Sequence, residues 1–253
     1  MDRPTRSSTD TKGTPDGCDT QPILPPIRNS GDEWRARSAA ILAAVAGFAA
    51  LELPAMLLYP GGTWFDTGVR GHRFWQNFLC DLEWRVSLNG QPNPVGSRLA
   101  QAAVLVLALG LVPFWIAVAD LLGERARLAA TVRVLGLLAA AGTIAVTLMP
   151  SDRFGAIHGA AVLTSGVPGL TAAALAAVGL LSAGPRPRVE GWIGTSMLVF
   201  ALINFVLYAS HYLGGVEGTP LVPAMQKVAL GFLLAWMAAV AIRTRARARH
   251  RAE

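Results

Sequence analysis

The sequence predicts an all-α fold, a polytopic membrane protein built as a six-transmembrane-helix bundle with both termini cytoplasmic. Three observations carry the prediction. Of 253 residues, 53% are hydrophobic and only 15% are charged, against about 25% charged in an ordinary soluble domain. The apolar residues fall into runs close to the roughly 20 needed to cross a bilayer. Arg-rich segments alternate with less basic ones, which orients such runs with the basic side inside. The net charge of +6 therefore reads as topology, and no nucleic acid partner is expected.

Residues 1–37 are rich in Ser, Thr, Asp, Pro and Gly, the composition of a disordered cytoplasmic tail. They lack the apolar stretch of a signal peptide. Cys18 follows Pro15-Asp16-Gly17 rather than an apolar run, so a lipoprotein anchor is not expected. The transmembrane domain spans 38–242. Its predicted helices are Ser38–Tyr59, containing Glu52 and Pro54; Ser97–Leu122, with a kink at Pro113; Ala129–Met149; Ile157–Leu181, containing Pro168; Trp192–Leu213; and Ala224–Ile242. Helices are required because a lone segment in lipid must satisfy its own backbone hydrogen bonds. Residues 243–253 form a basic cytoplasmic tail. The N-terminal tail, Arg125 with Arg127, Arg186 with Arg188, and Arg243–Arg251 all fall on one side. An even number of spans returns both ends to that side, and six is even. The two cysteines, Cys18 and Cys80, are then separated by the membrane and cannot pair.

On this topology three segments face outward: 60–96, 150–156 and 214–223. They collect His72, His158 and His211 out of four histidines; His250 lies in the basic tail. Asp66, Asp81, Glu83, Asp152 and Glu217 are also outside, and Glu52 is two turns below the outer end of its helix. The loop 60–96 exceeds the ~12–15 residues of a simple connector. Its Trp64, Phe65, Phe74, Trp75, Phe78 and Trp84 predict a cap lying on the bundle, with a short helix near Phe74–Trp84. The same aromatics also fit a belt that anchors helices at the interface, or a docking place for a protein partner.

Asp152 has the residue type of a helix N-cap and could also pair with Arg153. His158 opens an apolar span, where an ionisable group is by default a functional candidate. Asn204, Tyr208 and His211, at i, i+4 and i+7, share one helical stripe beside Gln226 and Lys227. That stripe serves either as interhelical hydrogen bonding or as part of a site. Together these residues define a candidate site with Asp81, Asp152, His158 and His211 as reactive groups. Asn77, Trp75, Asn204, Tyr208 and Gln226 are assigned to substrate binding. Histidine with aspartate suits zinc, or a general base acting with Ser151, Ser210 or Cys80 as nucleophile. No two histidines share an H-x-x-x-H spacing, so no metal ligand set is assigned and the cofactor is left open. The expected ligand is a membrane lipid or lipid-linked headgroup. A small transporter or channel, or a non-catalytic scaffold, is the alternative. Oligomeric state is not legible.

Three short motifs carry a resemblance. Phe78-Leu79-Cys80-Asp81-Leu82 fits a P-I-S-D-L-like stretch after the first span, with Cys80 in place of Ser. Met149-Pro150-Ser151-Asp152 fits an F-P-x-D stretch closing the third span, and His158-Gly159-Ala160-Ala161 fits an H-G-x-A opening the fourth. Over Ser38–Ile242 the chain thereby resembles the bacterial membrane family known as domain of unknown function nine-nine-eight. More distantly it is similar to the six-span eukaryotic family named after Frag, DRAM and Sfk proteins. The resemblance implies a six-helix bundle with Asp81, Asp152 and His158 facing outward, and a lipid-linked role. The chain lacks the Ser-x-x-x-His and His-x-x-x-His of the alkaline ceramidase type.

Overall fold

The computed structural model describes residues 30–123, 125–183, 188–215 and 218–250. Most of the expected tail, with Cys18, lies outside the described residues, as do Arg186, Glu217 and Arg251. Among the described residues the helices are α1 (Ser30–Leu58), α2 (Pro94–Leu121), α3 (Ala126–Leu148), the single turn α4 (Ser151–Phe154), α5 (Ala156–Leu181), α6 (Val189–Gly214) and α7 (Leu221–His250). Six of them are long and apolar enough to cross a membrane. The expected spans are all present, but two run on past their apolar stretches. α1 begins eight residues before Ser38 and α7 continues eight past Ile242. Lipid ends where the apolar run ends, but an Ala- and Arg-rich helix need not.

The long helices pack in chain order, each on the next, and α7 closes the ring against α1. At the closing seam Ser38 Oγ donates to the Ala241 carbonyl at 2.8 Å. The start of α1 and the end of α7 thus share one end of the ring, here the tail end. The loop 60–96 covers the other, the loop end. Inside the ring, Phe114, Trp115 and Trp236 meet edge to face at centroid distances of 5.0–5.8 Å. Glycines let these rings come close. A Cβ on Gly136 would lie 2.3 Å from the Trp115 ring, and one on Gly194 2.8 Å from Trp236. In lipid, close van der Waals packing of this kind replaces the hydrophobic drive that water supplies elsewhere.

The covering loop is held by its own polar groups. Gly62 N donates to Val69 O at 2.8 Å and Ser87 N to Gln91 O at 2.9 Å, closing two tight excursions. Gly61 and Gly62 have φ of 139° and 86°, and a Cβ on Gly62 would lie 2.4 Å from Asn89 N. Between the excursions Leu79–Glu83 forms a 3-10 turn, the helical part of the stretch predicted as a short helix. Four hydrogen bonds fix this loop to the helices: Leu79 N to Gln226 Oε1 at 3.0 Å, Trp84 Nε1 to Ser151 Oγ at 2.7 Å, Arg85 N to Asp152 Oδ2 at 3.2 Å, and Lys227 Nζ to the Asn77 carbonyl.

Candidate functional site

At the loop end a cavity of about 720 Å³ lies between the covering loop, the start of α5, the end of α6 and the start of α7. Its volume falls in the ~300–1,000 Å³ range of ligand pockets. The loop contributes Trp64, Phe78, Cys80 and Trp84, and the opposite wall contributes Ser151, His158, Tyr208, His211 and Tyr212. Gly159 opens this wall, since a Cβ there would stand 2.2 Å from the Tyr212 ring. Tyr208 stacks on Tyr212 at 6.0 Å and meets Phe78 edge-on at 6.5 Å.

His158 is the best-defined polar group of the cavity. It is buried, and Nδ1 lies 2.7 Å from the Met149 carbonyl. A carbonyl can only accept, so Nδ1 carries the proton and Nε2 is left as the acceptor of the neutral ring. α3 ends at Leu148 and α5 starts at Ala156, so the helix break at Pro150 is what brings the Met149 carbonyl to the imidazole. His211, one turn beyond Tyr208 on α6, is exposed and lines the same cavity.

The other candidates go elsewhere. Asp81 does not line the cavity. Its carboxylate accepts from Phe78 N at 2.8 Å, Trp64 Nε1 at 2.9 Å and Asn77 Nδ2 at 3.2 Å. Burial pushes this carboxyl up to about 6, against the pull of those donors and of Lys227. Asp81 therefore positions the wall residue Trp64 and holds the 3-10 turn. Asn77 is a buried loop brace, giving Nδ2 also to the Gly62 carbonyl at 2.8 Å and accepting Arg73 N at 2.9 Å. Trp75 is exposed and packs edge-on against Phe74 at 4.8 Å, beside His72 and Arg73, away from the cavity. Asp152 does not cap the following span, whose N-cap is Gly155. It holds the loop at Arg85, and no ion pair joins it to Arg153 among the described residues.

Asn204 and Gln226 line a second, deeper cavity of about 370 Å³ inside the ring, walled mostly by apolar side chains such as Leu111, Val146, Met197 and Leu233. Asn204 Oδ1 is buried there without a hydrogen-bond partner among the described residues. The α6 stripe thus divides by depth, with Asn204 in the inner cavity and Tyr208 and His211 in the outer one. Leu79 lines the inner cavity, while its neighbours Phe78 and Cys80 line the outer.

Among the nucleophile candidates, burial pushes the Cys80 thiol well above its ordinary value, so it is a weak nucleophile there. Ser210 is exposed and donates to the Val206 carbonyl at 2.8 Å. Ser151 lines the cavity with Oγ already accepting the Trp84 indole. Among the described residues no three His, Cys, Asp or Glu side chains are grouped to hold a metal.

Lys227 has a larger part here than the sequence reading assigned. It is buried, donates from Nζ to the Asn77 carbonyl, and stands 5.8 Å from the Phe74 ring centroid. Lys12 is the only other lysine of the chain, so a solitary Lys opening an apolar run was the signal available. Among the described residues, both carboxylate oxygens of Glu52 in α1 and Oε2 of Glu83 in the loop are buried without a hydrogen-bond partner. His72 Nε2 is likewise unpartnered, and burial holds this imidazole down at about 4. Comparison of the chain with known protein families, with curated proteins and with solved structures finds no match.

Proposed function

We propose that this integral membrane protein binds a membrane lipid or lipid-linked group from the outer face of the cell membrane. Its headgroup sits in the loop-end cavity, and both chain termini are cytoplasmic. One observation carries the reading: two cavities of opposite character follow one another down α6. The outer has His158, His211, Ser151 and tyrosines among aromatic rings; the inner is apolar apart from Asn204, Gln226, the Trp115 indole N–H and two hydroxyls turned to their own helices, Thr143 and Ser165. That gradient suits an amphiphile, with imidazoles for the polar end and a mostly apolar chamber for a chain. An engineered apolar cavity of 150 Å³ holds benzene. On that scale the 370 Å³ chamber takes roughly fifteen carbons. Where the headgroup is also modified, His158 Nε2 is the base this geometry supplies. The family resemblance at Met149–Asp152 and His158–Ala161 points to lipids as well.

Native mass spectrometry of the protein released from detergent tests the reading. A co-purified lipid is expected, and His158→Ala is expected to lower its retention roughly tenfold, the loss of one strong hydrogen bond. Trp75→Ala, away from the cavity, is expected to leave retention unchanged. Equal lipid content in parent and His158→Ala protein contradicts the assignment.

A small transporter is the second reading, favoured by the unpartnered Glu52 carboxylate within a span. It requires solute uptake in proteoliposomes that Glu52→Gln abolishes and that lipid retention does not track.

A further inference from the structure

At the tail end, far from the site described above, α1 and α7 enclose a recess of about 450 Å³ lined by Arg35, Ser38, Ala39, Leu42, Arg245 and Arg249. Most of the surrounding arginines have assigned partners. Arg37 reaches Asp120 at 2.5 Å and Glu33 at 3.1 Å, and Arg133 reaches Asp120 at 2.9 Å. Arg125 donates to the carbonyls of Gly179 and Ser182 at 3.2 and 2.8 Å, and Arg188 to that of Leu121 at 2.8 Å. Arg247 lies over Trp34, 5.9 Å from its ring centroid. Arg35, Arg245 and Arg249 have no ion pair or side-chain hydrogen bond among the described residues; Arg127 and Arg243 share that property but do not line the recess. Arg245 and Arg249 are one turn apart on one face of α7, and Arg35 joins them from α1. Three like charges converging on one recess repel each other until an anion sits between them.

We infer that this recess binds the phosphodiester headgroup of an anionic phospholipid in the adjacent leaflet. Guanidinium groups match phosphate oxygens in forked, paired hydrogen bonds. The floor of the recess, Ala39 and Leu42, is apolar and continues into the spans. Arg245 follows Ile242, the end of the last apolar run, by three positions, or about 4.5 Å along the helix axis. That depth is the headgroup zone. A general excess of basic residues would satisfy the orientation rule without converging from two helices over an apolar floor. That floor also favours a lipid over free phosphate, since inorganic phosphate has no chain to lay on it. Ser38 is not a phosphate donor, because its hydroxyl hydrogen goes to Ala241.

Native mass spectrometry of the full chain, released from nanodiscs of phosphatidylcholine with phosphatidylglycerol, tests the site. Phosphatidylglycerol adducts are expected to exceed phosphatidylcholine adducts. Each of Arg35→Gln, Arg245→Gln and Arg249→Gln is expected to weaken phosphatidylglycerol binding roughly fivefold, and the triple variant to lose the preference. Arg127→Gln, an exposed arginine at the same end outside the recess, is expected to leave it intact. The site is overturned if the triple variant keeps the preference, or if Arg127→Gln costs as much as a recess arginine. It is equally overturned if inorganic phosphate alone raises the melting temperature as much as the lipid does. Because these substitutions are remote from His158, loss of the loop-end ligand does not bear on this result.

Discussion

Glu83 ends the 3-10 turn under the covering loop, 3% exposed, with Oε2 lacking a donor. Burial pushes its carboxyl up to about 8, and the carboxylates of Glu52 and Asp152 push the same way. In the unfolded chain it gives up its proton near 4.5. Between those values the folded protein holds the extra proton, so stability falls as pH rises and the contribution is gone above pH 8. Asp81 acts in the same direction up to about 6. His72 runs oppositely: folded at about 4 and unfolded at 6.5, it adds stability as pH rises between them. Above pH 6.5 Glu83 is the loop group still titrating among these three. The melting temperature in detergent is therefore expected to fall between pH 6.5 and 8, by the equivalent of up to about 2 kcal/mol. Glu83→Gln is expected to lessen that slope. A slope unchanged in the variant assigns the proton elsewhere. The sequence placed these carboxylates at one end of the bundle, but not their partners. Asp81 shared a loop with Trp64 and Asn77, and nothing in spacing says that both would donate to it. His158 was more legible, since an imidazole at the mouth of an apolar run has to face a cavity or a backbone carbonyl, and here it does both.

Helix contacts in this protein are set by where a side chain is missing. Gly136 of α3 admits the Trp115 ring of α2, and a Cβ in its place would overlap the ring at 2.3 Å. Both partners are core elements with little room to shift, as Trp115 is also wedged against Phe114 and Trp236. Gly136→Ala is expected to destabilise by about 1–3 kcal/mol, the usual cost of overpacking, read as a lower melting temperature in detergent. Gly231 of α7 has nothing within 4 Å of an added Cβ. Gly231→Ala is expected to be neutral or to gain up to about 1 kcal/mol of helix propensity. Equal effects at the two positions would falsify the packing argument. Helix positions were the most legible feature of the chain, because run length and lipid thickness are the same constraint. Their ends were not. Ser30–Arg37 and Arg243–His250 are polar and still helical, since packing of α1 on α7 continues where lipid stops. The covering loop is the opposite case: its aromatics announced order, but the two tight excursions depend on backbone hydrogen bonds that leave no pattern in the sequence.

Closure of the ring by α7 against α1 is a property of the whole chain that no single run announces. It has two consequences. It encloses the inner cavity among α2, α3, α5, α6 and α7, and it builds the arginine recess from the first and last helices. Both proposed ligands then depend on which way the ring stands in the membrane. The tail end carries Arg35, Arg37, Arg125, Arg127, Arg133, Arg188 and the arginines from Arg243 to Arg249. Arg70, Arg73, Arg85, Arg98, Arg153 and Lys227 lie at the loop end, fewer than at the tail end. Basic excess faces the cytoplasm because translocating such segments is disfavoured, so the loop end is expected outside. Single cysteines in a chain with Cys18 and Cys80 replaced by Ser test this directly. A membrane-impermeant maleimide is expected to label Gln91→Cys in intact cells, and Arg127→Cys only after permeabilisation. The reverse pattern places the imidazole cavity against the cytoplasm and the arginines against the outer leaflet. Each recess would then have to find its ligand on the side opposite to the one its charge selects.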